Sequence, residues 1–163
     1  MAQPPGSAFV LVSHWRVPGD IGAAFGCLGD PEIARWWPEA YREVREIFPG
    51  DAEGCGRVLD ILTRSRIPYP IRWRLEVIEV RRPEHLVVRA SGDLAGEGVW
   101  ELRQRGAFVA MTYTWCVEVT KPWMQWLTPV LRPFFAANHH WVMRRGEIGL
   151  TRELARLDSQ AHD

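Results

Sequence analysis

The stretch FVAMTYTWCVEV, residues 108–119, alternates large apolar side chains with smaller or polar ones. A period of two is typical of a β-strand with one face covered and the other toward water. The covered face would carry Val109, Met111, Tyr113, Trp115 and Val117. We therefore predict a strand here that belongs to an antiparallel sheet with a single buried face.

Six other strands are predicted from the same signal. Short turns rich in proline, glycine and aspartate separate most of them, which favours antiparallel neighbours, because a parallel crossover needs about a dozen residues or more. The segment GDLAGEG, residues 92–98, is interpreted as a hairpin with bulges that let the sheet curve. The predicted strands are Phe9–Val17, Arg42–Phe48, Arg57–Arg66, Ile71–Arg81, His85–Ser91 and Gly98–Arg105.

Two short helices are predicted between the first two strands. Asp20 can accept hydrogen bonds from free N–H groups at the start of a helix over Ile21–Leu28. Asp30 followed by Pro31 repeats the signal for a second helix through Trp36.

The end of the chain has a helical period. From about Trp123 to Leu157 the apolar side chains form a stripe broad enough to predict burial over a wide arc. We expect Thr128 to cap this helix, and Pro133 to kink it or to mark its true start.

The composition excludes several classes of protein. The 163 residues fit one domain, 1–163, in which we expect residues 1–7 and 158–163 to be flexible. Lysine plus arginine and aspartate plus glutamate number 20 each, which argues against a nucleic-acid binder with a broad basic face. There is no apolar run of about 18 residues for a transmembrane segment, and the first residues lack a secretion signal, so we expect a cytoplasmic protein. The odd cysteine count and the lack of a C-x-x-C pair indicate neither a disulfide framework nor zinc.

The order of these elements resembles that of the START-like or helix-grip (SRPBCC) superfamily, and within it the polyketide cyclase/dehydrase and lipid-transport group. The matching stretches are WRVP at 15–18, DPE at 30–32, RWWP at 35–38, IRW at 71–73, SGDL at 91–94, TYTW at 112–115 and NHHWVM at 138–143. The resemblance implies an α+β fold in which a curved seven-stranded antiparallel sheet wraps around a long C-terminal helix, with two short helices after the first strand. It also implies a gap between sheet and helix that holds a small apolar ligand.

Large side chains of the sheet and the helix are expected to line this gap. The alternative is that they pack a solid core, but Tyr113 and Asn138 favour a pocket, because a dry core must satisfy polar atoms. We place Trp37 at the rim of the cavity and interpret Trp36 as a clamp between the second short helix and the sheet. The expected ligand-binding residues are Trp37, Trp73, Leu75, Trp100, Met111, Tyr113, Trp115, Phe134, Asn138 and Trp141.

Three residues are weak catalytic candidates, namely Tyr113, His139 and Asp60. Neighbouring helical positions point about 100° apart, so His139 and His140 cannot easily share a metal, and we expect neither a metal nor a cofactor. A buried hydrogen bond that locks the helix to the sheet is the simpler role for His139, with acid–base chemistry as the alternative. Asp60 could act only if it faced inward, and an outward salt bridge is the simpler interpretation.

Three functions are consistent with these patterns. The leading one is binding or transport of a small apolar ligand: a lipid, an isoprenoid or quinone, or an aromatic polyketide. The second is a polyketide cyclase or dehydratase that uses the same cavity, ranked lower because no second titratable residue is paired with the first. The third is a module whose curved sheet docks a partner protein, which exposed Trp36 and Trp123 would support. No pattern sets an oligomeric state.

Overall fold

The computed structural model describes residues 8–64, 66 and 68–162. The segment 1–7, which we expected to be flexible, lies outside the described residues, and residues 158–161 form the last turn of the final helix. The strands are β1 (Ala8–Pro18), β2 (Glu43–Phe48), β3 (Val58–Thr63), β4 (Ile71–Arg81), β5 (His85–Gly92), β6 (Leu94–Arg105) and β7 (Phe108–Val119). The helices are α1 (Ile21–Leu28), a 3₁₀ helix over Pro31–Arg35, and α2 (Pro122–Ala161).

All seven strands form one antiparallel sheet in the order β1-β7-β6-β5-β4-β3-β2. Burial alternates along the whole of β7, as its sequence predicts. The buried face of the sheet joins residues of α1, the 3₁₀ helix and α2 in one hydrophobic core. The predicted fold class, a curved seven-stranded sheet with a long C-terminal helix and two short helices after the first strand, is confirmed.

The predicted hairpin is present, but its turn is shorter than the segment 92–98. The reversal between β5 and β6 takes place at Asp93, and β6 begins at Leu94 rather than at Gly98. Gly92 has a φ of +106°, a conformation that suits glycine and permits this tight turn. Residues 94–97 are therefore free to pair with β7, where Leu94 lies opposite Val119.

The long helix begins at Pro122, close to the start of the helical pattern at about Trp123, but without the predicted cap. Its N-cap is Lys121, whereas the predicted cap, Thr128, is buried inside the helix and donates a 2.9 Å hydrogen bond to the carbonyl of Met124. The helix continues through Pro129 and Pro133. Both prolines are exposed, so water can bond the carbonyls that lose an N–H partner. Within the described part of the chain, no helix is long and apolar enough to cross a membrane.

Two glycines allow α2 to lie directly against the segment that follows the 3₁₀ helix. A Cβ atom on Gly146 would lie 2.7 Å from Trp15 Cη2 and 2.7 Å from Trp37 Cζ2. A Cβ on Gly149 would overlap the carbonyl oxygen of Trp36. The Nε1 of Trp37 donates a 2.9 Å hydrogen bond to the carbonyl of Val142, one turn before Gly146.

A buried ion pair holds the same interface further along α2. The Glu153 side chain is only 8% exposed and accepts from Arg35 at 2.5 Å and from Arg156 at 2.7 Å. The hydrogen bond from Arg156 is the main reason that the pKa of Glu153 is lowered, and the charge of Arg35 adds to it. Because its partners come from the 3₁₀ helix and from α2 itself, this carboxylate ties the two helices together.

We expect Gly146→Ala to lower the free energy of unfolding by about 1–2 kcal/mol. The new methyl group overlaps two buried indole rings, and overpacking of this kind costs about 1–3 kcal/mol, of which the better helix propensity of alanine offsets up to about 1 kcal/mol. Urea denaturation followed by circular dichroism measures the change.

The matched control for this variant is Gly26→Ala in α1. A Cβ on Gly26 meets nothing within 4 Å, so this variant should gain up to about 1 kcal/mol from helix propensity. Equal stabilisation of the two variants would show that α2 does not rest on the indole rings.

Candidate functional site

A cavity of about 140 Å³ lies between the sheet and the first half of α2. Much of its wall consists of aromatic rings. The rings come from β1, from the segment after the 3₁₀ helix, from β4, β7 and α2. The cavity therefore lies where the resemblance implied a gap.

A row of stacked rings runs across the sheet, and two of its members, Tyr113 and Trp115, line the cavity. The ring centroids of Trp100 and Tyr113 are 4.4 Å apart with an interplanar angle of 22°, and those of Tyr113 and Trp115 are 5.7 Å apart at 23°. Gly98 makes room for them, because a Cβ there would lie 2.5 Å from the Tyr113 hydroxyl and 2.7 Å from Trp115 Cε3. Because glycine has no side chain, residue 98 lets two rings lie flat against β6.

Two tyrosine hydroxyls, those of Tyr41 and Tyr113, belong to residues in the cavity wall. Burial raises the pKa of both, and the neighbouring Tyr41 raises that of Tyr113 further. Both therefore remain protonated near neutral pH and can donate a hydrogen bond. Among the residues that the structure describes, neither hydroxyl has a hydrogen-bond partner. Neither hydroxyl is among the fully buried polar atoms without a partner, so both reach open space, where each could donate to a ligand oxygen.

The helix side of the cavity carries Asn138 and His139. His139 Nε2 and Ser13 Oγ share a hydrogen bond at 3.3 Å, so the expected bond between helix and sheet is present in the structure. Burial, with a smaller contribution from the charge of His140, lowers the pKa of His139 to about 4, so its imidazole is neutral near neutral pH. Asn138 Oδ1 accepts from the backbone N–H of Arg66 at 3.2 Å.

Thr63 completes the polar groups at the β3–β4 end of the wall. Its hydroxyl donates to the carbonyl of Ala40 at 2.6 Å and accepts from Trp73 Nε1 at 2.9 Å. Trp73 is therefore fixed in orientation, and no polar atom of this pair needs a ligand.

Half of the expected lining residues meet at the cavity. These are Trp37, Trp73, Tyr113, Trp115 and Asn138.

The other five lie elsewhere. Leu75 and Trp100 border a separate void of about 20 Å³. Met111 is 1% exposed within the core. Trp141 is half-buried against the core, with the Arg66 guanidinium 5.8 Å from its ring, and Phe134 is 66% exposed on the outer side of α2. Leu75, Trp100 and Met111 do face the buried side of the sheet but lie outside the cavity wall. The sides on which Phe134 and Trp141 lie depend on where α2 meets the sheet.

The two neighbouring tryptophans are both buried, so the rim position expected of Trp37 is not found. Trp37 is 3% exposed and forms wall rather than rim, and it carries the hydrogen bond to α2. Trp36 is also buried, stacked on Trp37 with ring centroids 5.7 Å apart. Its Nε1 has no hydrogen-bond partner among the described residues.

Asp60 faces away from the cavity. It accepts from Arg74 Nε at 2.7 Å and from Arg45 at 3.3 Å, and the bond from Arg74 is the main reason that its pKa is lowered. The outward salt bridge, not the acid–base role, is the arrangement in the structure.

Sequence reasoning missed Tyr41 and Phe135. Tyr41 lies in an irregular segment without periodicity, so no pattern could assign it a face. Phe135 belongs to the predicted helical stripe, but the rotation of α2 against the sheet, which decides between it and Phe134, cannot be obtained from the helical period.

Comparisons with known proteins agree on the fold. No family model and no curated protein matches the sequence. A solved structure from Thermus thermophilus, that of the protein TTHA0849, is similar over 88% of this chain and 98% of its own, with 14% identity and a TM-score of 0.72. The Zhui aromatase/cyclase from Streptomyces sp. R1128 covers 91% of this chain and 94% of its own, with 12% identity and a TM-score of 0.71.

A plant enzyme has the same architecture. Norcoclaurine synthase from Thalictrum flavum, solved in complex with dopamine and hydroxybenzaldehyde, is similar over 96% of this chain and 95% of its own, with 14% identity and a TM-score of 0.62. The fold of this chain is therefore the helix-grip fold, as the sequence resemblance implied.

The buried His139 should make the folded state sensitive to acid. Unfolded histidine titrates near pH 6.5, whereas His139 in the folded chain titrates at about 4. As the pH falls through this window, the unfolded chain binds a proton that the folded chain cannot bind. The free energy of unfolding therefore has its full value above pH 6.5. It falls by up to about 3 kcal/mol as the pH is lowered toward 4.

We expect His139→Gln to flatten the dependence of unfolding free energy on pH in this window. Urea denaturation at a series of pH values measures the slope. His140→Gln, at an exposed neighbour on the same helix, is the control and should keep the wild-type slope. An unchanged slope in His139→Gln would contradict the assignment.

Proposed function

We propose that this protein binds a small, largely apolar molecule that contains an aromatic or quinone-like ring and a carbonyl or hydroxyl oxygen. The observation that carries the proposal is the cavity of about 140 Å³, apolar in most of its wall, with the hydroxyls of Tyr41 and Tyr113, which have no partner among the described residues. Pockets of this kind combine an apolar lining with a few polar groups that orient the ligand.

The volume of the cavity favours a ligand that places a single ring inside it. An apolar cavity of about 150 Å³ accommodates a molecule of the size of benzene. Of the ligand classes that the sequence suggests, a quinone head group or one ring of an aromatic polyketide fits, and the rest of a longer molecule must extend past the mouth of the cavity. A flexible lipid chain has no oxygen for the two tyrosines once it is inside, so it fits this wall less well.

The solved neighbours support the same class of ligand. One of them is an aromatase/cyclase, and norcoclaurine synthase was solved with two molecules that each contain one aromatic ring. Hydroxybenzaldehyde has both the ring and the carbonyl oxygen that the proposal requires.

We expect Tyr113→Phe to weaken the binding of hydroxybenzaldehyde about three- to tenfold, which corresponds to one neutral hydrogen bond. The variant should be as stable as the wild type or more stable, because it removes a buried hydroxyl that lacks a partner among the described residues. Isothermal titration calorimetry measures affinity, and thermal unfolding without ligand measures stability.

Toluene is the control ligand for this experiment, because it has the ring but no oxygen. Its affinity should be the same for the wild type and for Tyr113→Phe. An equal loss of affinity for both ligands would show that Tyr113→Phe disturbs the packing of the cavity wall rather than a hydrogen bond to the ligand. Absence of binding of either ligand to the wild type, together with native mass spectra free of bound molecules, would contradict the proposal.

A cyclase or dehydratase reaction in the same cavity is the second candidate. The observation in its favour is that a neutral imidazole, His139, and two protonated phenols line one cavity. The imidazole could take a proton from carbon while a phenol donates a hydrogen bond to the developing oxyanion. Turnover of a polyketide mimic that collapses in His139→Ala, at retained stability, would support catalysis, and binding without turnover would support the first candidate.

A further inference from the structure

The outer side of the first half of α2 carries an exposed apolar stripe. Its members are spaced by three or four residues, so they share one face of the helix. Trp123 is 48% exposed, Trp126 82%, Val130 68% and Phe134 66%. Water normally faces polar side chains on such a helix, so a continuous stripe of this size indicates a surface that binds something.

The stripe stops halfway along the helix. Further along α2 the exposed side chains are polar or charged, as at His140, Arg144 and Arg152. The apolar exposure is therefore a property of the first half alone and not of the helix as a whole.

The segment before β4 extends this surface. The rings of Tyr69 and Trp123 meet edge to face with centroids 5.5 Å apart. Leu131 and Phe134 border an external groove of about 520 Å³ together with Arg66 and Pro68.

The groove is next to the inner cavity. Phe135 and Asn138 line both of them, so these two side chains stand between the groove and the interior. A ligand that leaves the cavity on this side would emerge at the apolar stripe.

The stretches of chain that carry the stripe are rich in cations, one of which, Lys121, pairs with Asp93 at 3.6 Å. Residues 120–146 contain no aspartate or glutamate but include Lys121, Arg132 and Arg144. Residues 64–75 likewise contain arginines and no carboxylate, with Arg66 bordering the groove. The chain has no net charge, so this concentration of cations is local.

We propose that the stripe and its cations dock on the surface of a bilayer that contains anionic lipids. Tryptophan rings are enriched at the level of lipid headgroups, and arginines attract the anionic surface. A helix with an apolar face and a cationic border lies in the plane of the interface. The cavity mouth then faces the membrane, from which an apolar ligand could be collected; this last step rests on the proposed function, whereas the docking itself does not.

Two other binding partners of the stripe, a second copy of the chain and a different protein, fit less well. In a two-fold dimer the same patch meets itself, so the cations of one copy would face the cations of the other. A protein partner would need a groove for side chains that project as far as Trp126, which is 82% exposed, whereas a bilayer needs no matching pocket.

Sedimentation with vesicles tests the proposal on the full chain. We expect binding to vesicles of phosphatidylcholine and phosphatidylglycerol in equal parts, much weaker binding to phosphatidylcholine alone, and loss of binding in high salt. The double variant Trp126→Ser, Phe134→Ser should weaken vesicle binding by about tenfold or more, since the proposed docking buries both side chains in the bilayer. It should keep the hydroxybenzaldehyde affinity of the wild type, because neither side chain lines the cavity.

Phe48→Ser is the matched control, because Phe48 on β2 is 62% exposed and Phe134 is 66% exposed. It should leave vesicle binding unchanged. The proposal is overturned if neither vesicle binds, if the double variant binds as the wild type does, or if Phe48→Ser causes an equal loss. It is also overturned if light scattering shows a dimer that the double variant dissociates, which would assign the stripe to a second copy of the chain.

Discussion

The direct contact between α2 and the tryptophans of residues 36 and 37 determines how the rest of the molecule is arranged. Gly146 and Gly149 are spaced by three residues, so they share one face of the helix, and that face rests on an indole and on a backbone carbonyl. The hydrogen bond from Trp37 and the ion pair of Glu153 hold the helix there. Any larger side chain at either glycine would move α2 away from the sheet.

The cavity follows from this contact. The second half of α2 lies against Trp36 and Trp37, while the first half faces the stacked rings of Tyr113 and Trp115 across the cavity. Packing in protein interiors is normally dense, so a gap whose wall includes two tyrosines able to donate a hydrogen bond supports a binding role. The volume of the gap supports our proposal that the ligand places one ring there, which is a narrower class than the fold alone would allow.

The same helix serves two environments. Its inner side closes the cavity at Phe135 and Asn138, and its outer side exposes Trp126 and Phe134. Adjacent phenylalanines at 134 and 135 therefore point to different surfaces, because neighbouring helical positions differ by about 100°. A binding site and a docking surface on one short stretch of helix would couple the place of docking to the release of ligand.

Local patterns in the chain were sufficient for the strands, the caps at Asp20 and Asp30, the long helix and the aromatic side of β7. Each of these depends on alternation or on a single capping residue, and such signals act over a few neighbouring positions. The N-cap of α2, the inward side of Tyr41 and the outward side of Phe134 could not be obtained in this way. They depend on contacts between residues far apart in sequence, above all between Gly146 and Trp37, and it is this long-range packing that leaves one surface enclosed and another open to water.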